Sequence, residues 1–297
     1  MLDIISVGPG EAVLLTDDAK QAIDRADAVW CAARHAVLVP PEKARPLSPL
    51  EGAIEQMRLS SDAGQNAAVL VSGDAGLYSL LEMLKRKIGG EYLRVHPGVS
   101  ALQLFAARLG VSWQDAKILS AHGRALSESA LCHAVRTHRQ TFCFLDAAHN
   151  PAWVRESLNL GGLENVRLFV GERLSYPDER TEAYDPDATY DPLCMAYIEN
   201  DAPESGLPPV GLSDEAFIRG KTPMTKRDVR ALVVSALHLK PNGVVWDIGA
   251  GTGSVSVECA RQCPLGEVYA VEMKDEALDL IRRNAERFHA LNLRVVP

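Results

Sequence analysis

Short apolar runs alternate with amphipathic segments along the first 200 residues. The runs that predict strands lie at 2–7, 28–32, 67–72 and 93–97, and further ones follow in KILSAHG, TFCFLD, RLFVGERL and CMAYIEN. Apolar residues at helical spacing predict helices at 14–26, 51–61, 78–88 and 100–109. Thr16 is the expected N-cap of the first helix. Strands joined by crossover helices indicate an α/β fold with a mostly parallel sheet.

The amino-acid composition of the chain changes near residue 200. Residues 201–213 are rich in Pro, Gly, Ser and acidic residues, which is typical of a linker. A second α/β pattern occupies 214–297, beginning with a helix over 226–238 for which Thr225 could serve as N-cap. This region holds two full strands and the start of a third, whereas a doubly wound sheet usually has five or more. We therefore expect an incomplete Rossmann-like domain, truncated at its C-terminal side.

A glycine-containing loop follows the first strand of this second region. Its glycines are Gly249, Gly251 and Gly253. Glycine lets a ligand approach the backbone, and the helix that follows supplies free N–H groups. The spacing is G-x-G-x-G, whereas the dinucleotide fingerprint is G-x-G-x-x-G. Asp247 precedes the loop, and Glu272 ends the next strand, where an acid can accept hydrogen bonds from ribose hydroxyls. The pattern favours an adenosine ligand without phosphates, such as S-adenosylmethionine.

The combination of DIGAGTG with a downstream acid resembles the Rossmann-type (class I) methyltransferases. This resemblance implies S-adenosylmethionine as the cofactor. Two alternatives stay open for the loop. It could be only a tight turn between strand and helix, or it could bind the nicotinamide cofactor of an oxidoreductase.

Three further stretches each follow a predicted strand of the first region, so they should meet at the carboxyl edge of one sheet. They are VGPG (7–10), SGDAGLYS (72–79) and HPGVSALQ (96–103). In this order they resemble the tetrapyrrole methylase family, in which S-adenosylmethionine lies in a cleft between two α/β halves. The resemblance places Pro9, Asp74, Leu77, Ser100 and Ala101 near the ligand. The GDP triplet common in the family is GDA here, with Ala75 in place of proline.

Later stretches resemble the two-domain methyltransferases of cobalamin biosynthesis. They are LSAHGR (119–124), GERLSYPDERT (171–181) and DEAFIRGKTPMTKRDVRA (214–231). The resemblance covers nearly the whole chain and implies precorrin-6Y, or its cobalt counterpart, as the substrate. It assigns C5 methylation to residues 1–200, and C15 methylation with decarboxylation of the C12 acetate to 214–297. It also places Thr225 near the ligand and, because methylases of this fold are often dimers, implies a homo-oligomer.

Basic residues near these loops are candidates for binding the carboxylates of such a substrate. They are Arg124, Arg173, Arg180, Lys221 and Lys226. For each of them a solvated surface charge is the alternative. His122 and Arg124 are weak catalytic candidates, and a structural role is the alternative for His122. Methyl transfer from a sulfonium mainly requires alignment and exclusion of water, so no residue is firmly assigned as catalytic.

Composition excludes several other classes of protein. A net charge of −8 argues against broad nucleic-acid binding, and no apolar run approaches the ~20 residues of a membrane span. The six cysteines form no CxxC pair, which suits a reducing cytoplasm. Cys259 and Cys263 could hold half a metal site on one helix, but core packing is favoured, so no metal is expected. A non-catalytic S-adenosylmethionine-binding module stays open as an alternative.

Overall fold

The computed structural model describes residues 1–123 and 125–297, which fall into two compact units. The first unit comprises Met1–Gln114, Gly171–Glu182 and Leu193–Met195, and the second comprises Asp115–Val170, Ala183–Pro192 and Ala196–Pro297. This division does not follow the linker expected at 201–213, so the domain boundaries stay a prediction.

The strands and helices alternate along most of the chain. The strands are Leu2–Ser6 (β1), Ala28–Cys31 (β2), Ala44–Pro46 (β3), Ala67–Val71 (β4), Leu93–His96 (β5), Lys117–Ser120 (β6), Gln140–Phe144 (β7), Arg167–Glu172 (β8), Arg180–Ala183 (β9), Cys194–Glu199 (β10), Val244–Ile248 (β11), Glu267–Val271 (β12) and Leu293–Val296 (β13). The α-helices are Asp17–Arg25 (α1), Leu50–Asp62 (α2), Leu81–Ile88 (α3), Ala101–Leu109 (α4), Glu128–Thr137 (α5), Pro151–Leu160 (α6), Arg227–Ala236 (α7), Ser254–Gln262 (α8) and Asp275–Arg287 (α9).

The first unit contains a five-stranded sheet in the order β3-β2-β4-β1-β5, and its strand pairs are parallel. Successive residues of β1 point to opposite faces, so Ile4 joins one apolar cluster and Ile5 the other. Both faces are buried, as expected where helices cover a parallel sheet. The predicted parallel α/β arrangement is confirmed. The short edge strand β3 was not predicted, because three residues carry too little periodicity.

The described residues form two further sheets. One has the order β6-β7-β10-β8-β9, and the other is β11-β12-β13 with parallel pairs. In the three-stranded sheet, Val268 and Ala270 of the central strand are fully buried against a core that includes Val257 and Ile281. This core holds the α/β pattern of the C-terminal region together. No helix in the described ranges is long and apolar enough to cross a bilayer.

The first residues of α1 and α7 test the two N-cap predictions made for Thr16 and Thr225. Thr16 caps α1, because its Oγ1 accepts a hydrogen bond from the backbone N–H of Ala19 at 3.1 Å. The alternative role of Thr225 as the cap of α7 is wrong. That helix begins at Arg227, and Lys226 occupies the N-cap position without a side-chain hydrogen bond. The helix therefore starts one residue too late for Thr225 to cap it.

Candidate functional site

The three loops predicted to meet in the first unit follow β1, β4 and β5, which are adjacent strands. Gly8 and Gly73 exchange backbone hydrogen bonds of 3.2 and 2.7 Å. The Asp74 carboxylate accepts from the N–H of Gly76 at 2.8 Å and from that of Gly98 at 3.4 Å. Asp74 therefore links two of the loops at the carboxyl edge of the sheet.

Gly98 lies where two segments approach very closely. A Cβ atom on this residue would be 2.7 Å from Ser6 Cβ and 2.8 Å from the Ser6 carbonyl oxygen. The Oγ of Ser6 in turn accepts a hydrogen bond from the N–H of Ala75 at 2.9 Å. Only glycine at position 98 allows this packing of the loops.

The other residues that the family resemblance assigns to the ligand surround the same edge. The carbonyl of Pro9 accepts a hydrogen bond from the Tyr176 hydroxyl at 3.1 Å, and the N–H of Leu77 donates to the Asp74 carbonyl. Ser100 caps α4, and Ala101 is the first residue of that helix. The structure thus brings these residues together, while their contact with the ligand stays a prediction.

The glycine loop of the second unit has left-handed backbone at all three glycines, with φ of 77°, 58° and 75°. The N–H groups of Gly249 and Ala250 both donate to the carbonyl of Val271 at the end of β12. A Cβ at Gly253 would lie 3.1 Å from side-chain atoms of Ile281. Glycine is therefore required both by the backbone conformation and by the close packing of the loop on α9.

Two carboxylates border this loop, as the sequence pattern suggested. Asp247 on β11 accepts a hydrogen bond from Ser256 Oγ at 2.5 Å. Glu272 accepts from the N–H groups of Gly251, Met273 and Lys274 at 3.0, 2.9 and 3.1 Å. These bonds, that of Lys274 first and that of Gly251 next, hold the pKa of Glu272 below its ordinary value. Glu272 is therefore ionised at neutral pH and fixes the loop.

The loop offers space and polar groups for an adenosine ligand. A Cβ added at Gly249 would meet no atom within 4 Å. Within the described ranges, the buried Thr252 Oγ1 has no hydrogen-bond partner. Open space beside the loop, with two carboxylates at its border, fits S-adenosylmethionine better than a ligand carrying phosphates.

Residues 211–225, which we term the strap, are fastened to the second unit by buried polar groups. Glu258 on α8 accepts from the N–H groups of Gly211 and Leu212 and from Arg230 Nε at 2.6, 3.0 and 2.6 Å. Both Arg230 and Glu258 are almost fully buried. Arg230 also donates to the carbonyl of Thr225 at 2.6 Å, so one side chain holds both ends of the strap.

Asn284 on α9 joins the strap to the glycine loop. Its Oδ1 accepts a hydrogen bond from the N–H of Ile218, and its Nδ2 donates to the carbonyl of Ile218. The same Nδ2 also donates to the Thr252 carbonyl at 2.9 Å. The Pro223 carbonyl lies 3.3 Å from where a Cβ of Gly251 would be. The sequence analysis missed Asn284, and a polar residue on the apolar face of an amphipathic helix is the signal that could have revealed it.

The arginine candidates of the first unit already have partners. Arg173 Nε pairs with Asp178 at 2.6 Å, and its guanidinium lies over the Tyr176 ring. Arg180 Nε pairs with the buried Glu172 at 2.7 Å. These ion pairs give both arginines a structural role, and their contact with a substrate stays a prediction.

The remaining candidates lie in exposed positions or outside the described residues. Lys221 is exposed and its backbone N–H donates to Glu276, while Lys226 Nζ lies 3.9 Å from Asp214. His122 is exposed in the turn after β6, and Arg124 lies outside the described residues.

The helical cysteines Cys259 and Cys263 are fully buried. Burial raises the pKa of the Cys259 thiol to about 12, so it is protonated at neutral pH. Both side chains lie inside the core of the second unit, which confirms the packing role predicted for them.

Comparison with known proteins gives two family matches in the expected order. Residues 1–185 match the Tetrapyrrole (Corrin/Porphyrin) Methylases, and residues 215–297 match the Precorrin methyltransferase domain. The chain is 32% identical to the precorrin-6Y C(5,15)-methyltransferase [decarboxylating] of a Sinorhizobium species, over 99% of this chain and 73% of that protein.

Two further similarities are informative. The cobalt-precorrin-6B C(15)-methyltransferase (decarboxylating) of Salmonella typhimurium is 46% identical over 87 residues, which are 29% of this chain and 45% of that protein. The solved structure of uroporphyrin-III C-methyltransferase from Thermus thermophilus, complexed with S-adenosylhomocysteine, has a TM-score of 0.54 and 18% identity. It covers 67% of this chain and 96% of that chain, and it supports the fold. On these matches, the chain belongs to the tetrapyrrole methylase family, which uses S-adenosylmethionine.

Proposed function

We propose that the chain is an S-adenosylmethionine-dependent C-methyltransferase that acts on precorrin-6Y or its cobalt counterpart. It would methylate C5 and C15 and remove the carboxyl group of the C12 acetate. The observation that carries the proposal is the similarity over 99% of the chain to a precorrin-6Y C(5,15)-methyltransferase. The two glycine-containing loop sets, one in each unit, support it because they have the character of two different S-adenosylmethionine sites.

The two activities are assigned to different parts of the chain. Residues 1–200 would methylate C5, since residues 1–185 match the tetrapyrrole methylases. Residues 214–297 would contribute to C15 methylation and decarboxylation, since 215–297 match the precorrin methyltransferase domain. The 87-residue similarity to a C(15)-methyltransferase has about the length of this second match.

S-adenosylmethionine supplies an electrophilic methyl group when it is bound. The chain's own residues would hold and orient it: Glu272 keeps about one acceptor site, on Oε2, for a ribose hydroxyl, and Asp247 presents a carboxylate beside the loop. The loops around Asp74 would hold the cofactor at the corresponding edge of the first unit. Alignment and water exclusion are the contributions that such a displacement needs most.

A nicotinamide oxidoreductase is the weaker candidate. The residue after Gly253 is Ser254, so the third glycine of the dinucleotide fingerprint is out of place. The proposal includes the cytoplasm as compartment, supported by six buried free cysteines. It also includes a homo-oligomer, which sedimentation of the full chain tests.

Calorimetric titration separates these candidates. We expect the full chain to bind S-adenosylhomocysteine and not NADH. Asp247→Ala should weaken the binding event of the second unit and leave that of the first unchanged. Binding of NADH with no binding of S-adenosylhomocysteine would overturn the proposal.

A further inference from the structure

A second polar cluster lies at the carboxyl edge of the first sheet. Arg34 and His35 belong to the short 3₁₀ helix Ala33–Leu38 that follows β2. Ser72 directly follows β4, the neighbouring strand, and precedes Gly73 of the ligand loops. The cluster therefore shares an edge with the loops described above, although no sequence motif marked it.

Three hydrogen bonds hold the cluster together. Arg34 Nη2 donates to Ser72 Oγ at 2.7 Å, and Arg34 Nε donates to His35 Nε2 at 3.2 Å. Ser72 Oγ and His35 Nε2 are 2.8 Å apart. Two neutral acceptors thus fix the orientation of the guanidinium group of Arg34.

His35 does not neutralise the charge of Arg34. Its side chain is buried, and burial, together with the adjacent guanidinium, lowers its pKa to about 4. The imidazole is therefore neutral at physiological pH, and Nε2 acts as an acceptor while Nδ1 carries the proton. Nδ1 has no hydrogen-bond partner within the described ranges.

Arg34 also lacks an anionic partner. Its side chain is exposed, and no carboxylate of the described residues lies within ion-pair distance of it. Arg173 and Arg180, in contrast, both pair with carboxylates of their own chain. A guanidinium has five N–H donors, and the cluster uses two of those of Arg34. The remaining donors are oriented and available for an anion.

The same 3₁₀ helix borders an apolar cavity. Ala33 and Ala36 line this cavity of about 600 Å³, together with Cys31, Leu47 and Leu80. Its volume falls in the range of small-molecule sites. A tetrapyrrole combines an apolar ring system with carboxylate side chains, so it matches an apolar cavity beside the helix that carries Arg34.

We propose that Arg34 binds a carboxylate of the tetrapyrrole in the first unit, and that His35 and Ser72 position its guanidinium. This inference rests on the proposed function and names a substrate contact within it. A carboxylate is also present on the methionine part of S-adenosylmethionine, so the two sources must be separated by experiment.

The test uses the full chain and equilibrium binding of precorrin-6Y, followed by absorbance in the presence of S-adenosylhomocysteine. Arg34→Gln should weaken precorrin-6Y binding roughly 10- to 100-fold, because a charge-assisted hydrogen-bond pair is lost. Arg34→Lys should recover part of the loss. Arg86→Gln is the matched control, since Arg86 is an exposed arginine on α3.

The role of His35 is tested by a measurement that general destabilisation of the fold would not change. His35→Gln keeps an acceptor for Arg34, and His35→Leu removes it. We expect the leucine variant to raise KM for precorrin-6Y in C5 methylation more than the glutamine variant does. The Kd for S-adenosylhomocysteine should stay unchanged in both.

Three results would overturn the inference. They are unchanged precorrin-6Y binding by Arg34→Gln, a loss confined to S-adenosylhomocysteine, and no binding of precorrin-6Y by the unaltered chain. If the unaltered chain binds precorrin-6Y without methylating it, the proposed function fails. A selective loss of precorrin-6Y binding in Arg34→Gln would still support the inference in that case.

Discussion

Gly98 is a residue at which the first-unit loops tolerate little change. Gly98→Ala places a methyl group within 2.8 Å of Ser6 atoms. We expect it to lower the free energy of unfolding by about 1–3 kcal/mol, as overpacking usually does. Thermal unfolding of the purified chain measures the change.

Gly52 provides the opposite control within the same unit. It lies inside α2, and a Cβ there would meet only Pro49 Cγ, at 3.9 Å. Gly52→Ala should raise the free energy of unfolding by roughly 0.5–1 kcal/mol, because alanine is the better helix former. Equal effects of the two substitutions would contradict the packing argument.

We expect Glu272 to make a pH-dependent contribution to the stability of the fold. Its hydrogen bonds lower its pKa in the folded state, so the stability that they provide is present above its ordinary value of 4.5. That stability is lost as the pH falls through the lower folded-state value. Glu272→Gln should therefore lower Tm at pH 7 by a few degrees, and its effect should fade as the pH drops below 4.5 through the lowered pKa of Glu272.

The control for this comparison is Glu286→Gln, an exposed position on α9. Tm of both variants is measured by thermal unfolding between pH 3 and pH 8. A difference between Glu272→Gln and the unaltered chain that persists undiminished in acid would contradict the assigned hydrogen bonds.

At the scale of elements, the strap depends on the buried pair of Arg230 and Glu258. Arg230→Ala leaves a buried carboxylate without its cation, and we expect a loss of roughly 3–5 kcal/mol in unfolding free energy. Binding of S-adenosylhomocysteine at the glycine loop should weaken as well, because the strap lies against Gly251. Chemical denaturation and calorimetry measure the two effects.

Arg227→Ala on the same helix is the matched control. Its Nε donates to the Gly211 carbonyl from an exposed position, so the cost should stay below about 1 kcal/mol. The double variant Arg230→Met with Glu258→Leu should recover part of the stability, because it removes the unpaired buried charge but leaves the N–H groups of Gly211 and Leu212 without their acceptor. If the double variant is no more stable than Arg230→Ala, that result would contradict the account of the pair.

The elements differ in how well the sequence predicted them. Glycine loops that follow strands were predictable, because left-handed backbone and close approach leave a local pattern around Gly249 and Gly251. The strap was not, since Asn284 and Ile218 are 66 residues apart in sequence. The strand β3 has only three residues, which is too few for a period, and β9 (RTEA) is largely exposed and lacks the apolar residues that mark the other strands. Contacts between residues far apart in the sequence leave no local sequence pattern from which they could be predicted.

At the scale of the whole molecule, two family matches in one chain set the expected chemistry. A fold match alone would leave function open, because one fold hosts many activities. Here the order of the matches and the 32% identity over 99% of the chain agree with the motifs around Asp74 and Asp247. Methyl transfer to a tetrapyrrole is therefore the central claim.

The most direct test is incubation of the full chain with precorrin-6Y and S-adenosylmethionine carrying a ¹³C-labelled methyl group. The experiment is repeated with the cobalt-containing substrate, and the products are analysed by ¹³C NMR. We predict a labelled methyl group on C5, the step assigned to residues 1–200. Absence of labelled carbon from both tetrapyrroles would contradict the account.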